Sequence, residues 1–154
     1  MKSLKKMTMF LATGFYSGNS PVIPGTVGTV AAIPFVLAFN IIPLSFHALY
    51  CVGFILIAIV IADKAEALIG EKDPGCIVID EIAGFVISFS LVPVGIYSLI
   101  AGFLLFRFFD IVKPGPVRYF ERHFSAGPGI VLDDIMAGFF TAVLLKIMDL
   151  SGLF

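Results

Sequence analysis

Apolar residues fill long uninterrupted stretches of this chain, and the polar positions gather at the ends of those stretches. Charged side chains are absent from Met7 through Ala62, from Ile82 through Phe106 and from Ile135 through Leu145. Proline and glycine divide the blocks: "NIIPLS" around Pro43 splits the first, and "VPVG" at 92–95 splits the second. The pattern predicts an all-α chain with apolar segments at 26–42, 45–66, 80–92, 96–112 and 132–150, paired as helical hairpins over 26–66 and 80–112. At about 1.5 Å per residue several segments barely match a hydrocarbon core about 30 Å thick, and 80–92 falls short of it.

The breaks decide where the charges meet. A continuous helix over 80–109 would hold Asp80 and Asp110 about 45 Å apart. A turn at Pro93 and Gly95 instead returns the chain, so that Asp80 and Glu81 face Arg107, Asp110 and Lys113. The turn at Pro43 likewise brings Gly25, Thr26 and Gly28 level with Asp63, Lys64 and Glu66, and the final segment opens with Asp133 and Asp134 on the same side. One end of the bundle is therefore polar, and only Lys146 and Asp149 depart from this. The lysines and arginines at that end make it the cytoplasmic side by the positive-inside rule.

Composition strengthens the membrane reading. Of 154 residues, 59% are hydrophobic and 14% charged, and the mean hydropathy is +1.06, against about 25% charged in soluble domains. The expectation is one domain over 1–154, a compact multi-helix membrane bundle whose polar face lies at the cytoplasmic interface. Residues 1–18 have a basic start and an apolar stretch interrupted by Thr8, Thr13 and Ser17, with no cleavage site following, and read as an interfacial amphipathic helix. Residues 114–125, with "VRYFERHF", alternate aromatic and basic side chains as a headgroup-level segment does. A net charge of −1 and the lack of a basic patch interleaved with aromatics exclude nucleic acid as a partner. Cys51 and Cys76 do not make a disulfide framework.

Four clusters carry candidate chemistry. "PGTVGT" at 24–29 puts Gly25 and Gly28 where backbone can approach a ligand, with Thr26 and Thr29 as hydroxyl donors; a plain turn with a threonine cap fits it too. "DPGCIVIDE" at 73–81 places Asp80 and Glu81 at a helix start, where a cap is the simpler account, yet acids at a membrane boundary cost roughly 3 kcal/mol each on insertion scales and are usually functional. "FRFFDIVKPGPVRYFERHF" at 106–124 spaces Arg107 and Asp110 three apart on one helix face, with Lys113 one turn further; an ordinary ion pair competes with roles in cation and phosphate binding. "GPGIVLDDIMAG" at 127–138 repeats the Gly/Pro turn followed by paired acids, one of Asp133 and Asp134 being a candidate cap. Five converging carboxylates and no histidine or cysteine set suit magnesium better than zinc.

These four motifs, in this order across about residues 11–140, resemble the bacterial phosphatidylglycerophosphatase A family. Gly115 and Val117 stand where that family commonly has a bulkier residue and isoleucine. The resemblance implies a magnesium-dependent lipid phosphatase of the bacterial inner membrane, releasing the terminal phosphate of phosphatidylglycerophosphate. It implies Asp80, Glu81, Asp110, Asp133 and Asp134 as metal ligands, with Asp80, Glu81, Asp110 and Arg107 catalytic. Thr26, Gly28, Thr29, Arg107, Lys113 and Arg118 would bind substrate. In-line attack on phosphorus by a magnesium-activated water is the expected route, with an aspartyl nucleophile as the less supported alternative. A transporter or ion-conducting bundle using the same acids is the alternative, opposed by the lack of polar side chains along the depth of the segments; an inactive scaffold is a third.

Overall fold

The computed structural model describes residues 2–115, 117 and 126–154. Among them the regular structure is helical, and no strand occurs. The α-helices are α1 (Lys2–Ala12), α2 (Pro24–Ala31), α3 (Ile33–Leu37), α4 (His47–Ile69), α5 (Ile79–Ile87), α6 (Ile96–Val112) and α7 (Ala126–Leu150). Short 3-10 turns cover Ser17–Asn19, Ala38–Asn40 and Leu44–Phe46. The segment expected at 114–125, with Arg118, Arg122 and His123, lies largely outside the described residues.

Local chemistry sets these boundaries. Pro24 opens α2, where its missing N–H costs nothing, and Pro34 in the first turn of α3 divides the arm expected at 26–42 into shorter pieces. Gly70, at φ 76°, ends α4 by donating its N–H to the Glu66 carbonyl at 2.8 Å. The turn between α5 and α6 is locked by Ser98, whose hydroxyl accepts the Gly95 N–H at 2.8 Å and donates to the Pro93 carbonyl at 3.0 Å. Lys113 takes a left-handed conformation at φ 45°, and α6 stops before Pro114.

Three boundaries differ from expectation: the helix expected over 80–92 stops at Ile87, and the end of α1 and the start of α7 are displaced. α1 ends at Ala12, and the chain then turns through Gly14, Phe15 and Tyr16, all at positive φ. α7 begins at Ala126, six residues ahead of the expected 132. Pro128 lies in its first turn, where proline is compatible with a helix, and Asp63 of α4 accepts the Gly127 N–H at 3.4 Å. Asp133 and Asp134 therefore stand in the helix body, and neither is a cap.

Helix α7 is the hub, packed against α4, α5 and α6. Phe85 anchors the core, with ring centroids 5.2 Å from Phe89 and 5.7 Å from Phe106. Where α5 crosses α7 the backbones touch: a Cβ on Gly84 would fall 2.5 Å from the Asp134 carbonyl oxygen, and one on Gly138 would collide with the Gly84 carbonyl. Only glycine allows that approach.

Leu44–Ile69 is the one helical stretch among the described residues long and apolar enough to cross a membrane, with mean hydropathy 2.4 over its most apolar window. Leu49, Val52, Leu56, Ile57 and Val60 project outward from it, and Ile96, Ile100, Leu104, Phe108 and Ile111 form a second outward apolar stripe along α6. Patches of this extent are unusual on a monomeric soluble surface.

Candidate active site

The start of α5 is fixed by small residues. Val78, fully buried, precedes the helix and donates its N–H to the Ala12 carbonyl at 2.9 Å. Gly14, Gly18 and Gly28 all pack onto Val78, and a Cβ on Gly28 would lie 2.6 Å from its Cβ. Gly28 thus seats α2 against the base of α5, and its contact is with this valine rather than with the acids. Asp80 and Glu81 follow in the first turn of α5.

The α5–α7 crossing does the rest. Asp80 lies one turn before Gly84, and Asp134 lies one turn before Gly138. Bringing the two glycines into backbone contact brings the two carboxylates together. Oxygens of Asp80, Glu81 and Asp134 all lie within 4.8 Å of one another. Asp110, near the end of α6, borders the same place and acts electrostatically on both Asp134 and Glu81. The turn at Pro93 therefore sets Asp80 and Asp110 at the same end of the molecule.

Basic groups border the acids. Arg107 donates from Nη1 to Asp110 Oδ2 at 2.6 Å and, more weakly, to Thr29 Oγ1 at 3.5 Å. Thr29 is fully buried and donates in turn to the Gly25 carbonyl at 2.8 Å. Gly25 faces Glu81 and Arg107 so closely that a Cβ there would collide with Glu81 Oε1. Thr26, next along in α2, is half-buried. Lys113 pairs with Asp133 Oδ2 at 2.6 Å, so the acid pair on α7 is divided: Asp134 joins the cluster and Asp133 turns to the lysine.

The electrostatics describe a site short of positive charge. These acids lie outside the Leu44–Ile69 stretch. Burial, reinforced by the neighbouring Glu81 and Asp134 carboxylates, pushes Asp80 well above the usual carboxylate range. Burial also raises Asp134 strongly, with the Asp110, Glu81 and Asp133 charges adding to it. Glu81 rises less, since a hydrogen bond from Asp80 and the nearby Arg107 oppose its burial. Asp133 is raised by burial and partly relieved by Lys113. Glu81 Oε2 and Arg107 Nε are buried and lack a hydrogen-bond partner among the described residues. Four gathered carboxylates beside one guanidinium, with an orphaned carboxylate oxygen, form an all-oxygen donor set that fits a hard divalent cation.

Gly25 stands in the loop whose glycines are expected to let backbone approach a ligand, whereas Gly84 and Gly138 carry no such expectation. The signal for these two is present in the chain as a glycine four residues after Asp80 and again four after Asp134.

Buried carboxylates bordered by an arginine, in an all-helical protein with outward apolar faces, form a site with the groups to hold a divalent cation and a phosphate together. A sequence profile of the phosphatidylglycerophosphatase A family matches residues 10–149. The chain is 39% identical over 136 residues to phosphatidylglycerophosphatase A of Escherichia coli K12, covering 88% of this chain and 79% of that one. It is 34% identical over 147 residues to phosphatidylglycerophosphatase A of Haemophilus influenzae, covering 91% and 90%. It is also 37% identical over 155 residues, 96% of each chain, to a Bacteroides thetaiotaomicron protein provisionally named phosphatidylinositol-3-phosphatase. No solved structure matches. The chain belongs to the phosphatidylglycerophosphatase A family and is a phosphatase.

Proposed function

We propose that this phosphatase hydrolyses the terminal phosphomonoester of phosphatidylglycerophosphate to phosphatidylglycerol and inorganic phosphate, using magnesium, at the cytoplasmic face of a bacterial inner membrane. The observation that carries the reading is the meeting of Asp80, Glu81 and Asp134 oxygens within 4.8 Å beside an arginine whose Nε is buried and unpartnered among the described residues. The lipid comes from the family and from the names of two relatives.

Asp80, Glu81, Asp134 and Asp110 would hold magnesium. When bound, the ion supplies Lewis-acid polarisation of the phosphoryl group. Arg107 is anchored at Nη1 by Asp110 and Thr29, leaving Nε to take a phosphoryl oxygen and to offset the charge gathering on it as reaction proceeds. Thr29 keeps that guanidinium at the level of Gly25, where the backbone comes nearest to Glu81. Lys113, held by Asp133, adds a second cation for the phosphate. Thr26 and Arg118 complete the phosphate set, Arg118 lying outside the described residues. In the overall step a water oxygen bonds to phosphorus, the bond from phosphorus to the glycerol oxygen breaks, that oxygen gains a proton, and inorganic phosphate leaves. Outward apolar faces on α4 and α6 would sit in lipid, with Lys2, Lys5, Lys6 and Lys64 at the headgroups.

Phosphate release by the purified protein in detergent micelles tests this, with phosphatidylglycerophosphate and phosphatidylinositol 3-phosphate in parallel. Release from the first lipid should vanish in EDTA and return with excess magnesium. Undiminished release in EDTA would remove the metal from the reading, and faster turnover of the inositol lipid would replace the substrate.

A further inference from the structure

A groove of about 320 Å³ runs between α1 and α4, lined by Leu4, Lys5 and Thr8 on one side and Lys64, Ala67 and Leu68 on the other. The spacing explains it: positions 4, 5 and 8 share a face of α1, and 64, 67 and 68 share a face of α4. Its walls are apolar, and its charged groups are both lysines. Neither lysine has an ion-pair partner among the described residues. The acids of α4 beside Lys64 are engaged elsewhere: Asp63 accepts the Gly127 N–H at 3.4 Å, and Glu66 accepts the Asp73 N–H at 3.1 Å. The groove lies at the carboxyl end of Leu44–Ile69, the stretch able to cross a membrane, so its lysines stand where headgroups would meet them.

The geometry points to a second lipid site, separate from the acid cluster, that holds one anionic phospholipid: phosphodiester at Lys5 and Lys64, the start of an acyl chain along Leu4, Ala67 and Leu68. Charge complementarity selects the occupant, because a zwitterionic headgroup carries its own cation and gains little from two unpaired lysines. The site rests on the membrane-bound reading above but makes no use of the catalytic acids. It would tether α1, the amphipathic helix, to α4 through a lipid that is not hydrolysed.

A phosphatidylglycerol bearing a photoactivatable diazirine on its acyl chain, added to the full chain in dodecyl maltoside, tests this by peptide mapping of the crosslinks. Labelling should fall on the peptides spanning 2–12 and 64–69 and be displaced by unlabelled phosphatidylglycerol, and neither phosphatidylcholine nor inorganic phosphate should compete. The double substitution Lys5→Gln, Lys64→Gln should lower it at least about tenfold, and Lys5→Arg, Lys64→Arg should retain it. Phosphate release in detergent should be unchanged by either. Labelling indifferent to the glutamine substitutions, equal with a phosphatidylcholine probe, or displaced by inorganic phosphate overturns the site. A wild-type protein that releases no phosphate from phosphatidylglycerophosphate would overturn the catalytic reading alone, since the crosslink is read without turnover.

Discussion

The chain presents the same pattern twice, Gly and Pro a few residues ahead of two adjacent acids, and the fold treats the two pairs differently. Asp80 and Glu81 both enter the carboxylate cluster; of the second pair Asp134 enters it and Asp133 does not. Adjacent residues of a helix point about 100° apart, so whether both acids of a pair reach one small site depends on what the helix packs against on each side. Asp133 and Asp134 are in the body of α7, which begins at Ala126. Asp80 and Glu81 occupy the first turn of α5, and Glu81 reaches the cluster from the side facing Gly25. Similar local sequence thus gives two ligand-type acids in one place, and one such acid plus a lysine partner in the other.

The largest test of this difference is substitution within the second pair. Asp134→Asn should lower phosphate release about 10³-fold, as Asp80→Asn should, because each removes a charged oxygen from the cluster. Asp133→Asn should cost about tenfold, through a misplaced Lys113. Equal losses at 133 and 134 would erase the distinction.

Next in size is Gly25→Ala, which should reduce turnover about 10²-fold by displacing Glu81 from Arg107 while leaving the helical circular dichroism of the protein intact. Activity close to wild type would mean that Glu81 does not depend on that approach.

A third measurement uses pH. Asp80 and Asp134 bind protons more tightly in the folded protein than in the unfolded chain. In EDTA their contribution to stability is therefore fully present below about pH 4, the unfolded carboxylate value, and is lost as pH rises through their elevated folded-state range. Thermal unfolding in EDTA should show a midpoint that falls with rising pH over that window. Asp134→Asn should flatten the slope, and Asp133→Asn should flatten it less, because Lys113 already relieves that acid. A midpoint that rises with pH across the same range would contradict the buried, cation-poor site.

The smallest effect belongs to the other end of α7. Lys146 and Asp149 pair at 2.8 Å three residues apart, partly exposed and remote along the helix from the acids. Lys146→Ala should change stability by less than about 1 kcal/mol and leave turnover unaltered. A large loss of activity there would show that charge at the far end matters to the reaction.

By itself the sequence determined that the chain is helical and strongly apolar, and that it turns at Pro43 and Pro93. Charge-free runs broken at Pro43 and Pro93 admit few other arrangements, because each break is enforced by the missing N–H of proline or by glycine's freedom. The nearness of Asp80 to Asp110 followed from one of those breaks. Tertiary structure alone decided which acids share the site. Asp133 and Asp134 are adjacent and alike in sequence, and their division follows from the rotation of α7 where Gly138 meets Gly84, a contact between residues 54 positions apart. Periodicity fixes which residues share a helix face, but the angle at which that face meets its neighbour is set by packing, and here two glycines leave the backbones in direct contact.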